Sequence, residues 1–365
     1  MKHVIHVITT ISRGGAENQL LVLTKEQVLA GRKVTVVFLK DSPDLLDKFR
    51  HNGVEVIQEC ALRPFFNQIV WFRNFLKNRD VLIHAHLPRA ETLVAFALKK
   101  NNFIITRHNT ENFFPKGPQI LSSLMSRIVT KRSSGIIAIS HEVRKFILTN
   151  KEVSTKKTIY VIHYGYDSFF MQNKSIQDNL RSRIGIDEND FVVGTIGRIV
   201  KQKDYPTLLN AFRVFQSQIS QAKLIIIGEG NLREEMENLS KFLGIADKVI
   251  WYGKTSQVME FLLSIDLFLF TSTYEGFGLV LLEAMSAGVP IVATNISAIP
   301  EVMGEDYQYL ARERDYKDFS NMMIIIAQLN EENRDTLKQY YNLRLKKFEP
   351  NIMNAQVEKV YKMIN

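Results

Sequence analysis

The stretch that decides the fold is TSTYEGFGLVLLEAMSAGVP, residues 271–290. An apolar run of strand length precedes it, and Gly276 and Gly278 lead into a short helix that Gly288 closes as a C-terminal cap. Glycines let the backbone approach a ligand closely, and the first turn of a helix presents unpaired N–H groups that favour anions. The sequence therefore predicts a diphosphate site here. The amides predicted to line it belong to Phe277, Gly278, Leu279 and Val280.

A second stretch, GTIGRIVKQKDYP at residues 194–206, follows another apolar strand and precedes a predicted helix. It contains Gly197, Arg198 and Lys203. Ligands bind at the carboxyl edge of an open parallel sheet, where fixed cations can neutralise a departing diphosphate. No Asp-x-Asp occurs in the chain, which weakens the case for a metal-bridged diphosphate. We therefore expect no required metal, although a single Lys or Arg is more often a surface charge.

Around these two stretches, apolar runs of strand length alternate with helix-period segments, which indicates parallel sheets covered by helices. One series of runs ends near residue 162 and a second begins at residue 191, with polar residues between them. The length of 365 residues also fits two domains. The predicted fold class is α/β with two Rossmann-like domains, residues 1–168 and 169–349, and a final helix at residues 350–365 that returns to the first domain.

Composition excludes several classes of protein. Hydrophobic residues make up 45% of the chain and charged residues 23%, which is ordinary for a folded globular protein. Cys60 is the only cysteine, which excludes an intrachain disulfide and a cysteine-rich zinc site. Because no apolar run approaches about 18 residues and no signal-peptide pattern opens the chain, we expect a cytoplasmic protein.

The net charge of +9 is distributed unevenly, since residues 1–170 hold 25 basic and 13 acidic residues. A basic N-terminal half suits an anionic partner, and charge alone leaves open a phospholipid surface, a lipid-diphosphate acceptor and a nucleic acid. Residues 63–77 and 113–132 combine aromatic and basic side chains. Each segment could lie on an anionic membrane surface, or could be an amphipathic helix that covers the sheet with its basic residues solvated.

Two loops of the N-terminal half are further candidates. The loop SRGGAE, residues 12–17, contains Gly14 and Gly15, lacks the Gly-x-Gly-x-x-Gly of a dinucleotide dehydrogenase, and would otherwise be an ordinary strand-to-helix turn. His108 follows an apolar strand and should face a cleft at the substrate edge, unless a backbone carbonyl satisfies it. Zinc ligation by His84, His86 and His108 is a further alternative, although structural histidines explain the spacing as well.

The spacing of Glu275 and Glu283 resembles a motif of a known family. With seven residues between them, they match the glutamate pair of the family 4 retaining glycosyltransferases of the GT-B fold, which this chain resembles. The resemblance implies that Glu275 contacts the donor sugar, that Glu283 contacts the nucleotide ribose, and that Arg198 and Lys203 hold the donor phosphates. It also implies that His108 contacts the donor sugar or the diphosphate region. Outside such a setting, the two glutamates would be a loop charge and a solvated helix residue.

The resemblance implies a fold, a reaction and partners as well. Two domains would face each other across a cleft, and a sugar would pass, with retention of anomeric configuration, from a nucleoside diphosphate sugar to an acceptor hydroxyl. A UDP-sugar is favoured over a GDP-sugar as donor. The acceptor would be a glycan or lipid-linked, with peripheral contact at the inner face of an anionic membrane and no nucleic-acid partner. Gly228, in a strand-to-helix turn at residues 227–230, would lie beside the nucleotide.

Two alternatives to this function remain from the sequence. Another GT-B enzyme, such as a sugar-nucleotide epimerase or a phosphorylase, would share the two domains and a phosphate site. A noncatalytic nucleotide-sugar-binding module would share the fold as well. Product analysis distinguishes the first alternative, because an epimerase converts the donor without an acceptor and a phosphorylase needs inorganic phosphate.

Overall fold

The structure is a computed structural model and describes residues 2–98, 102–114, 117–153, 157–167 and 180–364. The chain divides into two compact units. Unit 1 comprises Met1–Asp167 with Phe348–Asn365, and unit 2 comprises Ser168–Lys347. The predicted domain boundary, between residues 168 and 169, lies outside the described residues.

Unit 1 is built on a seven-stranded sheet in which every pairing is parallel and the strand order is β3-β2-β1-β4-β5-β6-β7. Its strands are short and rich in β-branched residues, as the apolar runs predict. The strands are β1 Val4–Ile8, β2 Val34–Phe38, β3 Glu55–Ile57, β4 Leu82–His86, β5 Phe103–Arg107, β6 Gly135–Ala138 and β7 Ile159–Val161.

Helices cover both faces of this sheet, as parallel connections require. The helices before residue 168 are α1 Gly15–Leu29, α2 Leu46–His51, α3 Phe65–Phe75, α4 Pro88–Ala97, α5 Gln119–Arg132 and α6 His141–Thr149.

Unit 2 is a six-stranded parallel sheet in the order β10-β9-β8-β11-β12-β13. Its strands are β8 Phe191–Ile196, β9 Ala222–Ile227, β10 Val249–Gly253, β11 Leu267–Phe270, β12 Ile291–Thr294 and β13 Leu310–Ala311. Its helices are α7 Leu180–Arg183, α8 Tyr205–Gln218, α9 Arg233–Phe242, α10 Val258–Leu263, α11 Leu279–Ser286, α12 Ile299–Met303, α13 Tyr316–Ala327 and α14 Glu331–Leu345. Among the described residues, the helices are all too short or too polar to cross a membrane.

The final helix, α15 Pro350–Ile364, packs on α1 of unit 1. Its buried face includes Val357, Val360 and Tyr361, which join the core formed by α1 and the strands. Arg32, which follows α1, donates through Nε to Glu358 at 2.8 Å. The helical spacing of the last residues predicted this return to the first domain, and the packing confirms that part of the predicted fold class.

The apolar run at residues 307–310 predicts a last strand for unit 2, and the structure differs from this prediction. Tyr307 lies ahead of β13 as a buried core residue, and its hydroxyl donates to the carbonyl of Ile291 at 2.6 Å. The strand itself begins only at Leu310. An apolar residue in a turn is indistinguishable by pattern from the first residue of a short strand, because both are buried.

The sheet order of unit 2 positions the candidate site. Because β9, β8 and β11 are neighbours and parallel, their carboxyl ends meet at one edge. The loop after β8 contains the predicted cations, and the loop after β11 contains the predicted glycines. Sequence segments that are about 70 residues apart therefore come together at this edge.

Candidate functional site

The loop after β8 packs directly on the turn after β9. Gly197 donates through its amide to the Ile227 carbonyl at 2.9 Å, and Ile199 donates to the Glu229 carbonyl at 3.0 Å. Gly228 has a φ of +142°, and a Cβ placed on it would lie 1.9 Å from the Gly197 carbonyl oxygen. Only glycine permits this contact. Gly228 thus has a packing role against another loop, and its position beside a nucleotide stays a prediction.

The same loop is tied on its other side to the residues after β11. The Thr273 amide donates to the Gln202 carbonyl at 2.9 Å, and the Gln202 side chain donates in return to the Tyr274 carbonyl at 2.8 Å. Thr271 Oγ1 donates to the Lys203 carbonyl at 2.8 Å. Sequence reasoning missed the contacts of Thr271, Thr273 and Gln202, because threonine and glutamine at strand ends have no distinctive spacing. Together the bonds hold the two predicted site loops in register.

Lys203 and Glu275 form an ion pair, with Lys203 Nζ 2.6 Å from Glu275 Oε1. Both side chains are largely buried, with 17% and 12% exposed, and the ammonium lies 4.8 Å from the centre of the Phe270 ring. Gly197 lies against the aliphatic part of Lys203, since a Cβ there would come 3.3 Å from Lys203 Cε. The sequence assigned the two charged residues separate tasks, and the structure places them in direct contact.

Arg198 differs from Lys203 in its surroundings. Its side chain is exposed, and among the described residues its guanidinium has no hydrogen-bond or ion-pair partner. Its backbone is held because Gly197 and Ile199 on either side are bonded to the β9 turn. Arg198 is therefore a positioned but uncompensated cation at the sheet edge, which is the state an anion-binding residue requires.

The glycine loop ends in helix α11, as predicted. Gly278 has a φ of +94° and precedes the helix, and the Leu281 amide donates to its carbonyl at 2.9 Å. The first two helical residues, Leu279 and Val280, have no carbonyl one turn earlier within the helix to accept from their amides. Gly288, with a φ of +70°, follows the last helical turn as the predicted cap. Two of the four predicted amides thus open the helix, and the other two precede it.

Ser297 fixes the backbone of Glu275. Its hydroxyl accepts from the Glu275 amide at 3.2 Å and donates to the Glu275 carbonyl at 2.8 Å. Ser297 itself has a left-handed φ of +58°. This residue was missed by sequence reasoning, because it follows a different strand and its serine carries no motif. The neighbouring Phe277 side chain is buried and anchors the loop in the core.

Glu283 lies in the middle of α11, half-buried and well separated in the chain from Glu275. Burial raises the pKa of Glu283 to about 7. A carboxyl group with such a pKa is partly protonated at neutral pH, so it can donate as well as accept a hydrogen bond. Both tasks suit contact with a neutral hydroxyl group.

In unit 1, Gly14 and Gly15 begin helix α1. Gly14 is the extended residue before the first turn, and a Cβ on it would lie 2.3 Å from Glu17 Oε2. Burial raises the pKa of Glu17. The Glu17 carboxyl group therefore folds back over the helix start, and a side chain at position 14 would require this flexible group to move.

His108 belongs to a chain of hydrogen-bonded side chains in unit 1, which we call the histidine chain. His108 Nδ1 lies 2.6 Å from Tyr164 Oη, and His108 Nε2 lies 3.1 Å from His86 Nδ1. His86 Nε2 lies 3.0 Å from His6 Nδ1, and His6 Nε2 lies 2.8 Å from Gln27 Oε1. Both ring nitrogens of His108 are thus engaged, so the predicted contact with a donor would require one of these bonds to be exchanged.

The tautomers of the histidine chain follow from the hydrogen bonds of Gln27, which lies at one end of the chain. The Gln27 amide nitrogen donates to Tyr361 Oη at 3.3 Å, so its oxygen accepts and His6 Nε2 donates to that oxygen. Each neutral imidazole then accepts at Nδ1 and donates at Nε2, and Tyr164 donates to His108. Burial lowers the pKa of His6 to about 4 and that of His108 to about 3, which keeps the chain neutral.

The nitrogens of His6, His84 and His86 also converge within 4.8 Å of one another, which is compatible with a metal. His84 Nδ1 lies 2.7 Å from Tyr361 Oη, and its Nε2 lies 2.7 Å from Thr106 Oγ1. Hydrogen bonds therefore engage every ring nitrogen of the three. These hydrogen bonds between neutral groups explain why the three side chains lie together. Two of them, His84 and His86, are among the three histidines considered as zinc ligands.

Two family models match the chain. "Glycosyl transferases group 1" matches residues 176–343, and "Glycosyltransferase Family 4" matches residues 13–169. Together the two matches span most of the chain, one in each half.

Curated relatives and solved structures agree with these matches. N-acetyl-alpha-D-glucosaminyl L-malate synthase of Bacillus anthracis is 28% identical over 78% of this chain and 75% of its own. The capsular polysaccharide biosynthesis glycosyltransferase CapM of Staphylococcus aureus is 26% identical over 79% of this chain and 78% of its own. Anabaena Alr3699/HepE, crystallised with UDP and glucose, superposes with a TM-score of 0.83 at 19% identity, with both chains covered completely. The last likeness confirms the predicted fold class.

Proposed function

The chain belongs to the family 4, group 1 glycosyltransferases of the GT-B fold, and we propose that it transfers a sugar from a nucleoside diphosphate sugar to an acceptor hydroxyl with retention of configuration. That it is a glycosyltransferase follows from both family models and from its named relatives. The donor, the stereochemical outcome and the residue roles are the proposal.

One observation supports the proposed position of the donor site. Arg198, Lys203 and the amides that open α11 lie on adjoining loops at the carboxyl edge of a single sheet. A diphosphate brings negative charge that these groups complement, and donors preorganised for a departing charge lower the barrier by several kcal/mol. The site supplies this compensation with side chains and main-chain amides, so we propose no required metal.

The ion pair between Lys203 and Glu275 gives the site two states. A donor phosphate that binds the Lys203 ammonium competes with Glu275 for it. The carboxylate of Glu275, whose backbone Ser297 holds in place, then accepts a hydrogen bond from a sugar hydroxyl. Glu283 contacts the ribose, for which its partly protonated carboxyl group is suited. These are the roles that the family resemblance implied.

A UDP-sugar is the proposed donor, with a GDP-sugar as the alternative. The Alr3699/HepE structures were obtained with UDP and with UDP-glucose, which supports the choice of nucleotide by fold likeness alone. Unit 1 is proposed to bind the acceptor, a glycan or a lipid-linked glycan in polysaccharide assembly, at the inner face of a cell membrane. The name of the CapM relative supports that pathway.

The test is thermal unfolding with UDP, GDP and ADP and with the matching sugar nucleotides. A ligand that binds only the folded protein at 100 times its Kd stabilises it by about 2.7 kcal/mol. We expect UDP compounds to raise the Tm most, and NMR of the product from the accepted donor to show the anomeric configuration of that donor. No shift with any nucleotide, or an inverted product, would contradict the proposal.

A further inference from the structure

The histidine chain connects a partly exposed ring to side chains in the interior of unit 1. His108 is partly exposed, whereas His86 is 2% exposed and His6 and Gln27 are completely buried. The centre of the His86 ring lies 5.3 Å from that of His108 and 5.2 Å from that of His6. Because each ring is bonded to the next, the position of a proton in the interior constrains its position on the exposed ring.

Two arrangements of protons satisfy the bonds between the rings. A neutral imidazole has one donor nitrogen and one acceptor nitrogen. Each bond joins Nε2 of one ring to Nδ1 of the next, from His108 to His86 and from His86 to His6. If neighbouring rings differed in tautomer, one bond would contain two protons or two lone pairs. All three rings therefore hold their proton on the same nitrogen, so His108 has the tautomer of His6.

Gln27 selects between the two arrangements. Its oxygen lies 2.8 Å from His6 Nε2, and its amide nitrogen lies 3.3 Å from Tyr361 Oη. The Tyr361 hydroxyl can accept this bond and donate to His84 Nδ1, which lies 2.7 Å away. In this orientation of the amide, His6 donates through Nε2, and the proton of His108 is on Nε2 as well. The opposite orientation of the amide would move every one of these protons to Nδ1.

The tautomer decides what His108 can offer a ligand. Tyr164 donates to Nδ1, so the ring has its N–H at Nε2, where it bonds to His86. A phosphate or sugar oxygen that replaced His86 would meet an N–H, which stabilises developing negative charge. With the other tautomer the same oxygen would meet a lone pair. His108 also lines two cavities, of about 30 and about 10 Å³, so its ring has room to exchange a partner.

We propose that His6 and Gln27 are positioning residues, which keep the proton of His108 on Nε2 so that this ring can donate a hydrogen bond to the sugar nucleotide. Both residues are buried and act through His86. The ligand in this inference rests on the proposed function. The tautomers themselves are a property of unit 1 and can be measured without a substrate.

Nitrogen-15 NMR of the full chain with labelled histidine tests the tautomers directly. Two-bond correlations between the ring nitrogens and the ring C–H protons distinguish Nε2–H from Nδ1–H, and variants that each lack one histidine assign the signals. We expect neutral rings with Nε2–H at His6, His86 and His108. A proton on Nδ1 of His108, or different tautomers on neighbouring rings, would overturn the proposal without any reference to enzymatic activity.

Two variants of His6 test the link to catalysis. His6→Leu removes the acceptor of the His86 N–H, and because a buried N–H without an acceptor is unfavourable, the protons of His86 and His108 should move to Nδ1. We then expect kcat to fall about 10²-fold, as after loss of one preorganised donor, with little change in KM. His6→Asn keeps an acceptor oxygen near the position of Nδ1, and it should restore both the Nε2–H tautomers and most of kcat.

Gln27→Leu removes the group that selects the direction of the bonds. Since the rings can then adopt either arrangement, we expect a mixture of tautomers at His108 and a smaller loss of kcat than in His6→Leu. A single Nε2–H tautomer in Gln27→Leu would contradict the role given to Gln27.

His84→Leu is the matched control, because His84 is also fully buried and hydrogen-bonded but lies outside the path from Gln27 to His108. It should leave the tautomer of His108 and kcat unchanged. A loss of kcat equal to that of His6→Leu would mean that the effect is structural, and the proposal would fail. It would also fail if His6→Leu reversed the tautomers with kcat unchanged. Absence of transfer by the unaltered protein would contradict the proposed function instead, and the spectra would still decide the tautomers.

Discussion

The sheet edge of unit 2 and the histidine chain of unit 1 are both polar, but they use opposite electrostatics. The unit 2 edge holds an exposed cation, Arg198, and a largely buried ion pair between Lys203 and Glu275. The histidine chain is buried and neutral, and each imidazole is satisfied by its neighbours. The contrast fits the proposal that the first region exchanges charge with a ligand, whereas the second holds a geometry without charge.

Removing the cation of the ion pair should produce the largest effect. We expect Lys203→Ala to lower kcat by about 10²–10³, as loss of one preorganised donor does in other enzymes. Glu275 would lose its partner, so the Tm should fall too. Steady-state kinetics and thermal unfolding measure the two effects.

Two variants control this experiment. Lys201→Ala removes an exposed cation from the same turn and should leave kcat almost unchanged. Adding Glu275→Gln to Lys203→Ala should recover much of the Tm without recovering activity, because it removes the uncompensated charge. If Lys201→Ala were as damaging as Lys203→Ala, general charge would explain the loss and the contrast with unit 1 would weaken.

The next largest effect should come from low pH, which should change the stability of the two units in opposite directions. All eight histidines lie in residues 3–163. The folded pKa values of His6 and His108, about 4 and about 3, are below the unfolded value of 6.5, so the unfolded chain binds more protons as pH falls. Stability is thus complete above pH 6.5 and declines below it, by about 2 kcal/mol per histidine at pH 5. Glu283 acts oppositely, since its folded pKa is raised, and unit 2 should gain stability over the same range.

Tryptophan fluorescence can follow each unit, because the chain has one tryptophan in each, Trp71 and Trp251. Urea unfolding of Trp251→Phe reports on unit 1, and that of Trp71→Phe reports on unit 2. We expect the unit 1 midpoint to fall between pH 7 and pH 5 while the unit 2 midpoint holds or rises. Equal losses in both would mean that the histidine chain is not the acid-sensitive element.

A smaller effect should show how much the hydrogen bonds between the loops of unit 2 contribute to donor binding. Ser297→Ala removes both side-chain bonds to the Glu275 backbone, which should weaken donor binding by about 1 kcal/mol, or roughly fivefold in KM, with a modest change in kcat. Ser217→Ala, on an exposed helix position of the same unit, is the matched control. A change in kcat alone would assign Ser297 to the chemical step instead of to positioning.

Much of the candidate site could be predicted from residues that are close together in the sequence. The run from the strand before residue 271 through Gly278 to Gly288 contains its own local reasons for a loop, a helix start and a helix end, and the structure confirms each. The cations of residues 198–203 were found because they follow a strand. In contrast, Ser297 and Gln202 were not found, since their contacts are with segments distant in the chain.

Local order along the chain was enough to determine two α/β units, their short buried strands, and the glycine loop that starts α11, because these depend on hydrophobic period, turn chemistry and caps. Only the tertiary structure decided that Lys203 pairs with Glu275, that Gly228 packs on Gly197, and that His6, His86 and His108 join in one chain. The reason is that the order of strands in a sheet brings together residues whose separation in sequence carries no signal of their contact.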